Sequence, residues 1–235
     1  MASVSSVDNA RAVEALLLVL SLIAGCTDVI GFLGLNGLFT SHITGNLVVL
    51  AAHVAGGIGA QMSKVLAVPV FVVVVALTSL LRDSLAAIGV APLRPLLMLQ
   101  FLLLAGFLVL CVAAGPQVAP DTKITVVAGM VGVAAMAVQN ALVQIAIGGV
   151  PSTAVMTTNI THFAVDIGRA LRGGDPANVA KARNRAAKTL TVIAGFAAGC
   201  TLGAACEVML GMWALALPAG LALLALLIGF TVNPE

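Results

Sequence analysis

Eight apolar segments follow one another along the chain, six of them long and two short and dotted with polar residues. Uncharged runs of about 20 residues predict membrane-spanning helices, and these runs lack the strict alternation of a barrel strand. The long segments are predicted at 12–33, 65–81, 96–114, 124–147, 190–209 and 212–231. The short ones are predicted at 44–58 and 153–171. The predicted fold class is therefore all-α, a polytopic membrane helical bundle.

A break rich in glycine and polar residues precedes each short segment. The first break contains Gly31, Gly34 and Gly37 and leads into a polar cluster at 40–46, and the second is Gly148–Pro151. Non-helical backbone at membrane depth is tolerated only where it is buried in protein or lines a cavity. The two breaks therefore predict a functional site inside the membrane.

The order of segments indicates an internal repeat. A shift of 113 residues places Thr40, Thr44 and Asn46 over Thr153, Thr157 and Asn159. Within a single membrane domain, 1–235, the first repeat is predicted at 11–115 and the second at 122–231. Internal repeats of this kind are typical of transporter folds.

Two topologies fit this repeat, and the first is preferred because the short segments are polar at their starts. If the short segments are broken or re-entrant helices, each half has three spans and the second half is inverted (3+3). If they cross, eight spans form two parallel sets (4+4). Loop charge does not choose between them, because either topology places nine of the 11 basic residues on one side. That side is predicted to be cytoplasmic, and it holds both termini and a hydrophilic loop at 172–188.

Composition supports a membrane protein and excludes several other classes. Of 235 residues, 61% are hydrophobic and 9% charged, against about 25% charged in soluble domains. The lipid bilayer is thus a partner, and a net charge of +2 does not indicate nucleic acid. The four cysteines form no C-x-x-C pair, and no H-E-x-x-H motif is present, so no metal or cofactor is predicted.

Asp28 is the sharpest candidate for chemistry. A charge near the bilayer centre costs about 2.5–3.5 kcal/mol on insertion scales. The functional interpretation is a ligand for a proton, a cation or a substrate. The structural alternative is a hydrogen-bonded latch to a neighbouring helix.

The remaining candidates lie in or beside the two breaks, where free N–H groups at helix starts suit an anionic group. Gln139 and Asn140 occupy the second-half positions that correspond to Cys26 and Thr27. The alternative is that these polar groups only join helices. The predicted substrate-binding residues are Asp28, His42, Thr44, Gly45, Asn46, Gln139, Asn140, Thr157, Asn159, His162 and Asp166.

Gly195, Gly199 and Gly203 form a smooth helix face, which predicts close helix packing with a homo-oligomer contact as a second use. Ser41 and His42 are neighbours and point about 100° apart on a helix, so the chain is predicted not to be an enzyme. The predicted function is small-molecule transport, with proton coupling as an option and with a midplane site between the repeats. The alternatives are a passive channel and an intramembrane sensor or enzyme.

Three stretches carry a resemblance to a known family: Asp28-x-x-Gly31-Phe32-Leu33, Phe39 to Val48, and Gln139-Asn140-Ala141. They resemble the YoaK-like family of bacterial membrane proteins, also called the domain-of-unknown-function 1275 family. The Ser-His-x-Thr-Gly-Asn block is the specific part. In the second half this family usually has Thr-Gly where this chain has Thr157-Thr158. The resemblance implies a bacterial inner-membrane protein, described as a small-molecule transporter without a settled substrate.

Overall fold

The structure, a computed structural model, describes residues 2–57, 59–115 and 122–232, with side chains from residue 8 onward. Ile58, the predicted end of the first short segment, lies outside these residues. The regular elements described are all helical, which confirms the all-α prediction. They are α1 (Ala2–Gly34), α2 (Ile43–Ala55), α3 (Met62–Ala87), α4 (Leu93–Ala114), α5 (Lys123–Leu142), α6 (Met156–Arg172), α7 (Pro176–Leu210) and α8 (Ala216–Gly229). A π-helical turn, Val143–Ile147, extends α5, and a 3₁₀ turn, Gly211–Leu215, precedes α8.

The prediction of a hydrophilic loop at 172–188 is wrong, because α7 begins at Pro176. The Asp175 side chain caps this helix by accepting from the backbone N–H of Asn178 at 3.3 Å, and proline is favoured at the first helical position. The stretch that follows is rich in Ala, Lys and Arg, which are good helix formers. Low hydropathy over these residues therefore does not distinguish a polar helix from a loop.

Five described helical stretches are long and apolar enough to cross a bilayer, which indicates a membrane protein. The last of them, Pro176–Gly229, has 54 residues and contains both α7 and α8, which Gly211 separates with a φ of +57°. The apolar helix α2 has only 13 residues. At about 1.5 Å per residue its length is roughly 20 Å, well short of the ~30 Å core.

The helices α1 and α5 form the centre of the bundle. The helix α1 packs against α7 and α8, α5 packs against α3 and α4, and α4 also packs against α8. Large core side chains such as Leu20, Ile23, Phe107 and Met136 are fully buried between them. By contrast, α3 presents an exposed apolar face that includes Val72 and Leu80, as expected for a helix that faces lipid.

The glycine face of α7 lies directly against α1. A Cβ on Gly199 would lie 2.4 Å from the Leu22 carbonyl oxygen, and one on Gly203 would lie 2.8 Å from the Cys26 Cα. The predicted packing role of this face is thus confirmed, and it is used within one chain. The homo-oligomer stays a prediction, and it would need another surface.

Contacts along the helices give their relative directions. Leu22 lies against Gly199 and Cys26 against Gly203, so α1 and α7 run in the same direction. In α5, however, Gln139 donates to the Leu20 carbonyl at 2.9 Å, whereas a Cβ on the earlier Gly129 would meet Leu38, beyond the end of α1. The helices α1 and α5 therefore run in opposite directions.

The helices α4 and α8 also run in opposite directions. Arg94, near the start of α4, donates through Nε to the Gly229 carbonyl at 3.3 Å. It also donates through Nη2 to the Phe230 carbonyl at 3.3 Å. Both carbonyls lie at the end of α8, so the start of one helix meets the end of the other.

The α1–α7 contact predicts a position-dependent response to added methyl groups. Gly199→Ala is expected to destabilise the protein by about 1–3 kcal/mol, because its Cβ would overlap the backbone of α1. Gly220→Ala is the matched control, since a Cβ there meets nothing within 4 Å. Thermal unfolding of both variants in detergent measures the difference, and equal melting temperatures would contradict the close approach of α1 and α7.

Candidate functional site

The Asp28 carboxylate organises the first break. After α1 the chain turns through Asn36 and Gly37, whose φ angles are +55° and +82°, and comes back beside Asp28. Its Oδ1 accepts from the backbone N–H groups of Thr40 at 2.9 Å, Ser41 at 2.7 Å and His42 at 3.3 Å. These three donors precede α2, and the carboxylate supplies the acceptor that they need away from water.

His42 contacts the other oxygen of the Asp28 carboxylate. Its Nδ1 lies 2.6 Å from Oδ2 of Asp28, and its ring is edge-on to Phe196 with centroids 5.3 Å apart. The Asp28 side chain is 4% exposed and the His42 side chain 37% exposed. Asp28 therefore fixes the orientation of the imidazole and remains covered, while His42 is the member of the pair that other molecules can reach.

A cavity of about 530 Å³ opens over this pair. It is bounded by α1, the first break, the start of α2 and the middle of α7. Its apolar walls include Val29, Phe32, Phe39, Val48 and Phe196, and its polar residues are Asp28, His42 and Thr44. Gly45 also lines it, and a Cβ there would lie 2.9 Å from the Phe39 ring. The cavity suits a small molecule with an apolar body and one hydrogen-bonding group.

The two asparagines of the breaks make equivalent contacts. The Asn46 Nδ2 donates to the Phe39 carbonyl at 2.8 Å, and its Oδ1 accepts from the Phe39 N–H at 2.9 Å. The Asn159 Nδ2 donates to the Ser152 carbonyl at 2.6 Å. At each break the amide thus holds the backbone seven residues upstream, and neither asparagine lines the cavity over His42.

Gln139 joins the second break to the centre of the bundle. Its Nε2 donates to the Leu20 carbonyl and to Thr153 Oγ1, both at 2.9 Å. Its Oε1 accepts from Gln100 Nε2 at 2.7 Å. Asn140 is not part of this cluster, since its Nδ2 donates to the Met136 carbonyl in its own helix at 3.0 Å.

Asp166, in the later half of α6, forms an ionic cluster with two arginines. Arg185 of α7 donates to it through two nitrogens, at 2.7 and 3.1 Å, and Arg169 lies 3.4 Å away. The helix α6 is not among the five apolar spans, and the Arg185 guanidinium lowers the pKa of the Asp166 carboxyl below its usual value. Asp166 is therefore charged at neutral pH, while His162 and Thr157 are exposed on the same helix.

The predicted residues are thus distributed over three places. Asp28, His42, Thr44 and Gly45 line one cavity, with Asn46 behind it. Gln139 lies in the buried core, whereas His162 and Asp166 line a separate cavity beside α7. No group of three or more His, Cys, Asp or Glu side chains that could hold a metal occurs in the described part of the chain.

Two long polar side chains that are fully buried, Lys64 and Gln100, were not predicted from the sequence. Lys64, at the start of α3, is fully buried and donates through Nζ to the Asn36 carbonyl at 2.7 Å and to the Gln61 side chain. Its cation lies near the end of α1, where the helix dipole favours positive charge. Gln100 is also fully buried. The signals present in the sequence were a lysine at the start of an apolar span and a single amide within another apolar span.

The paired asparagine contacts predict that both breaks depend on their amides. Asn46→Ala is expected to lower the melting temperature more than Asn159→Ala, because Asn46 makes two hydrogen bonds to backbone and Asn159 one, each worth about 0.5–1.5 kcal/mol. Asn178→Ala, on the exposed start of α7, is the control and should leave the melting temperature unchanged. Equal melting temperatures for all three variants would show that the two amides do not stabilise the breaks.

Comparison with known proteins places the chain in a family without assigning it a function. A family model described as "Protein of unknown function (DUF1275)" matches residues 16–228, a range that contains both breaks and all the candidate residues. No curated protein and no solved structure matches the chain. The resemblance carried by the block from Ser41 to Asn46 is confirmed for the family, although the match does not supply the name YoaK. The chain belongs to the DUF1275 family.

Proposed function

We propose that this protein is a small-molecule transporter of the bacterial inner membrane, with both termini in the cytoplasm. The observation that carries the proposal is the Asp28–His42 pair on the floor of an apolar cavity at a helix break. Polar and ionisable residues placed at membrane depth mark substrate or ion pathways. Broken helices around such a site are a recurrent feature of secondary transporters.

The architecture that we propose has two inverted halves of three spans each, 11–115 and 122–231. The shift of 113 residues pairs α1 with α5 and α4 with α8, and both pairs run in opposite directions. The parallel alternative with eight spans would require equivalent helices to run in the same direction. The equivalent amide contacts of Asn46 and Asn159 also support a repeat.

The packing of the helices supports the same two-fold relation. The helix α1 packs against α7, and its equivalent α5 packs against α3, which is the equivalent of α7. Likewise α1 packs against α8, and α5 against α4. Each half therefore places its first helix among the later helices of the other half, so the two halves interlock at α1 and α5.

We infer different roles for the two members of the acid–imidazole pair. Oδ1 of Asp28 is occupied by backbone donors, so this residue holds the break and orients His42. His42 Nε2 makes no hydrogen bond to any described residue, and the ring lines the cavity. We assign substrate contact to His42, with Thr44 beside it, and we place the coupling proton in the short Nδ1–Oδ2 contact.

The transport proposal is tested with purified protein in liposomes and a panel of radiolabelled neutral aromatics, amines and carboxylic acids. His42→Phe keeps a ring against Phe196 but removes the hydrogen bond to substrate. It is expected to reduce saturable uptake by about tenfold, since a lost bond of ~1.4 kcal/mol changes an equilibrium tenfold. His53→Phe is the matched control, because His53 in α2 lines neither this cavity nor the one beside α7, and it should retain wild-type uptake.

A second variant separates coupling from binding. Asp28→Asn retains an acceptor for the break but cannot ionise, so uptake should continue without responding to an imposed pH gradient. Uptake that does not saturate with solute concentration would identify a passive channel instead. If no solute moves, or if folded His42→Phe transports as well as the control, the proposal fails.

A further inference from the structure

A second cavity lies at the other break and has a different chemical character. It has a volume of about 500 Å³ and is bounded by the break residues Gly149–Pro151, by α6 and by α7. Its apolar wall includes Val150, Pro151 and Val165. The cavity over His42 shares none of its lining residues.

Three basic side chains converge on this cavity around one buried acid. Arg169, Arg185 and Lys188 line it together with Asp166, which gives a formal charge of +2 with His162 neutral. Asp166 is 5% exposed and fixes Arg185 through a two-nitrogen contact. Lys188 makes no hydrogen bond or ion pair with the described residues. The acid thus orients the arginines without cancelling the positive charge.

The internal repeat does not account for this cluster. The positions 113 residues earlier are His53 for Asp166, Gly56 for Arg169, Val72 for Arg185 and Val75 for Lys188. The shared helical framework therefore forms without any of these ion pairs in the first half. Positive charge at a membrane edge sets topology, but topology does not require basic groups to meet in one cavity around an acid.

We infer that this cavity binds a phosphate ester. Guanidinium and ammonium groups bind phosphate oxygens through charge-assisted hydrogen bonds, and an acid-oriented arginine is already positioned for such contacts. The apolar wall gives room for the organic part of the ester, which bare phosphate lacks. The phosphate comes from a phospholipid headgroup or from a soluble ester. This inference does not depend on the transport proposal.

The experiment measures thermal unfolding of the purified full chain in a neutral detergent, titrated with phenyl phosphate, with phosphatidylglycerol or with phosphatidylcholine. A ligand that binds the folded state raises the melting temperature. Arg169→Gln combined with Lys188→Gln should weaken the apparent affinity by about tenfold or more, given that charged hydrogen bonds are each worth roughly 1.5–3 kcal/mol. Lys181→Gln combined with Arg183→Gln removes the same charges from exposed sites on α7 that do not line the cavity.

The outcomes separate the source of the phosphate from failure of the inference. Stabilisation by phosphatidylglycerol alone identifies a lipid headgroup, and stabilisation by phenyl phosphate identifies a soluble ester. Equal weakening by both double variants would show that only overall charge matters, and it would overturn the inference. The absence of stabilisation by all three phosphate esters would overturn it as well. If the cavity double variant does not fold, Lys188→Gln alone serves, because Lys188 has no described partner to lose.

Discussion

The structure depends on satisfying the backbone of two helix breaks away from water. A bilayer offers no hydrogen bonds to exposed N–H and C=O groups, so each break must find its partners within the protein. At the first break a carboxylate does this, since Asp28 accepts from three successive residues, Thr40 to His42. At the second break neutral groups do it: Ser152 Oγ accepts from the N–H groups of Ala154 and Val155, and the Asn159 side chain donates to the Ser152 carbonyl.

The two proposed halves carry different ionic groups at equivalent positions. The Asp28–His42 pair of the first half corresponds to Ala141 and Val155 in the second. The equivalents of Asp166 and Arg185 are His53 and Val72, which cannot form the same acid–arginine pair. A protein that needed these groups only for folding would have little reason to place each in one half. The asymmetry instead supports the two proposed binding sites, one in the apolar cavity over His42 and one at the second break.

Hydropathy predicted the helices well, because membrane burial leaves a strong signal in composition. It failed at the start of α7, where polar helix formers resemble a loop. The partners of Asp28 were beyond sequence reasoning, since the return of residues 40–42 depends on the turn at Asn36 and Gly37. The pairing of Asp166 with Arg185 was not predicted either, because Arg185 lies in the part of α7 that was predicted to be a loop. Residues that were expected to form one midplane site are therefore divided among three places. Their division depends on how the helices pack against one another, which the sequence pattern does not contain.

The most direct test of this account is the sidedness of the two connections that follow the short helices. Ala60→Cys and Asn178→Cys, both at exposed positions, are placed singly in a chain whose four native cysteines are replaced by alanine. A membrane-impermeant maleimide then labels each variant in intact spheroplasts and in inverted vesicles. Inverted halves with re-entrant α2 and α6 place the two positions on opposite faces of the membrane. Labelling of both from the same face would contradict the inverted arrangement and favour eight parallel crossings.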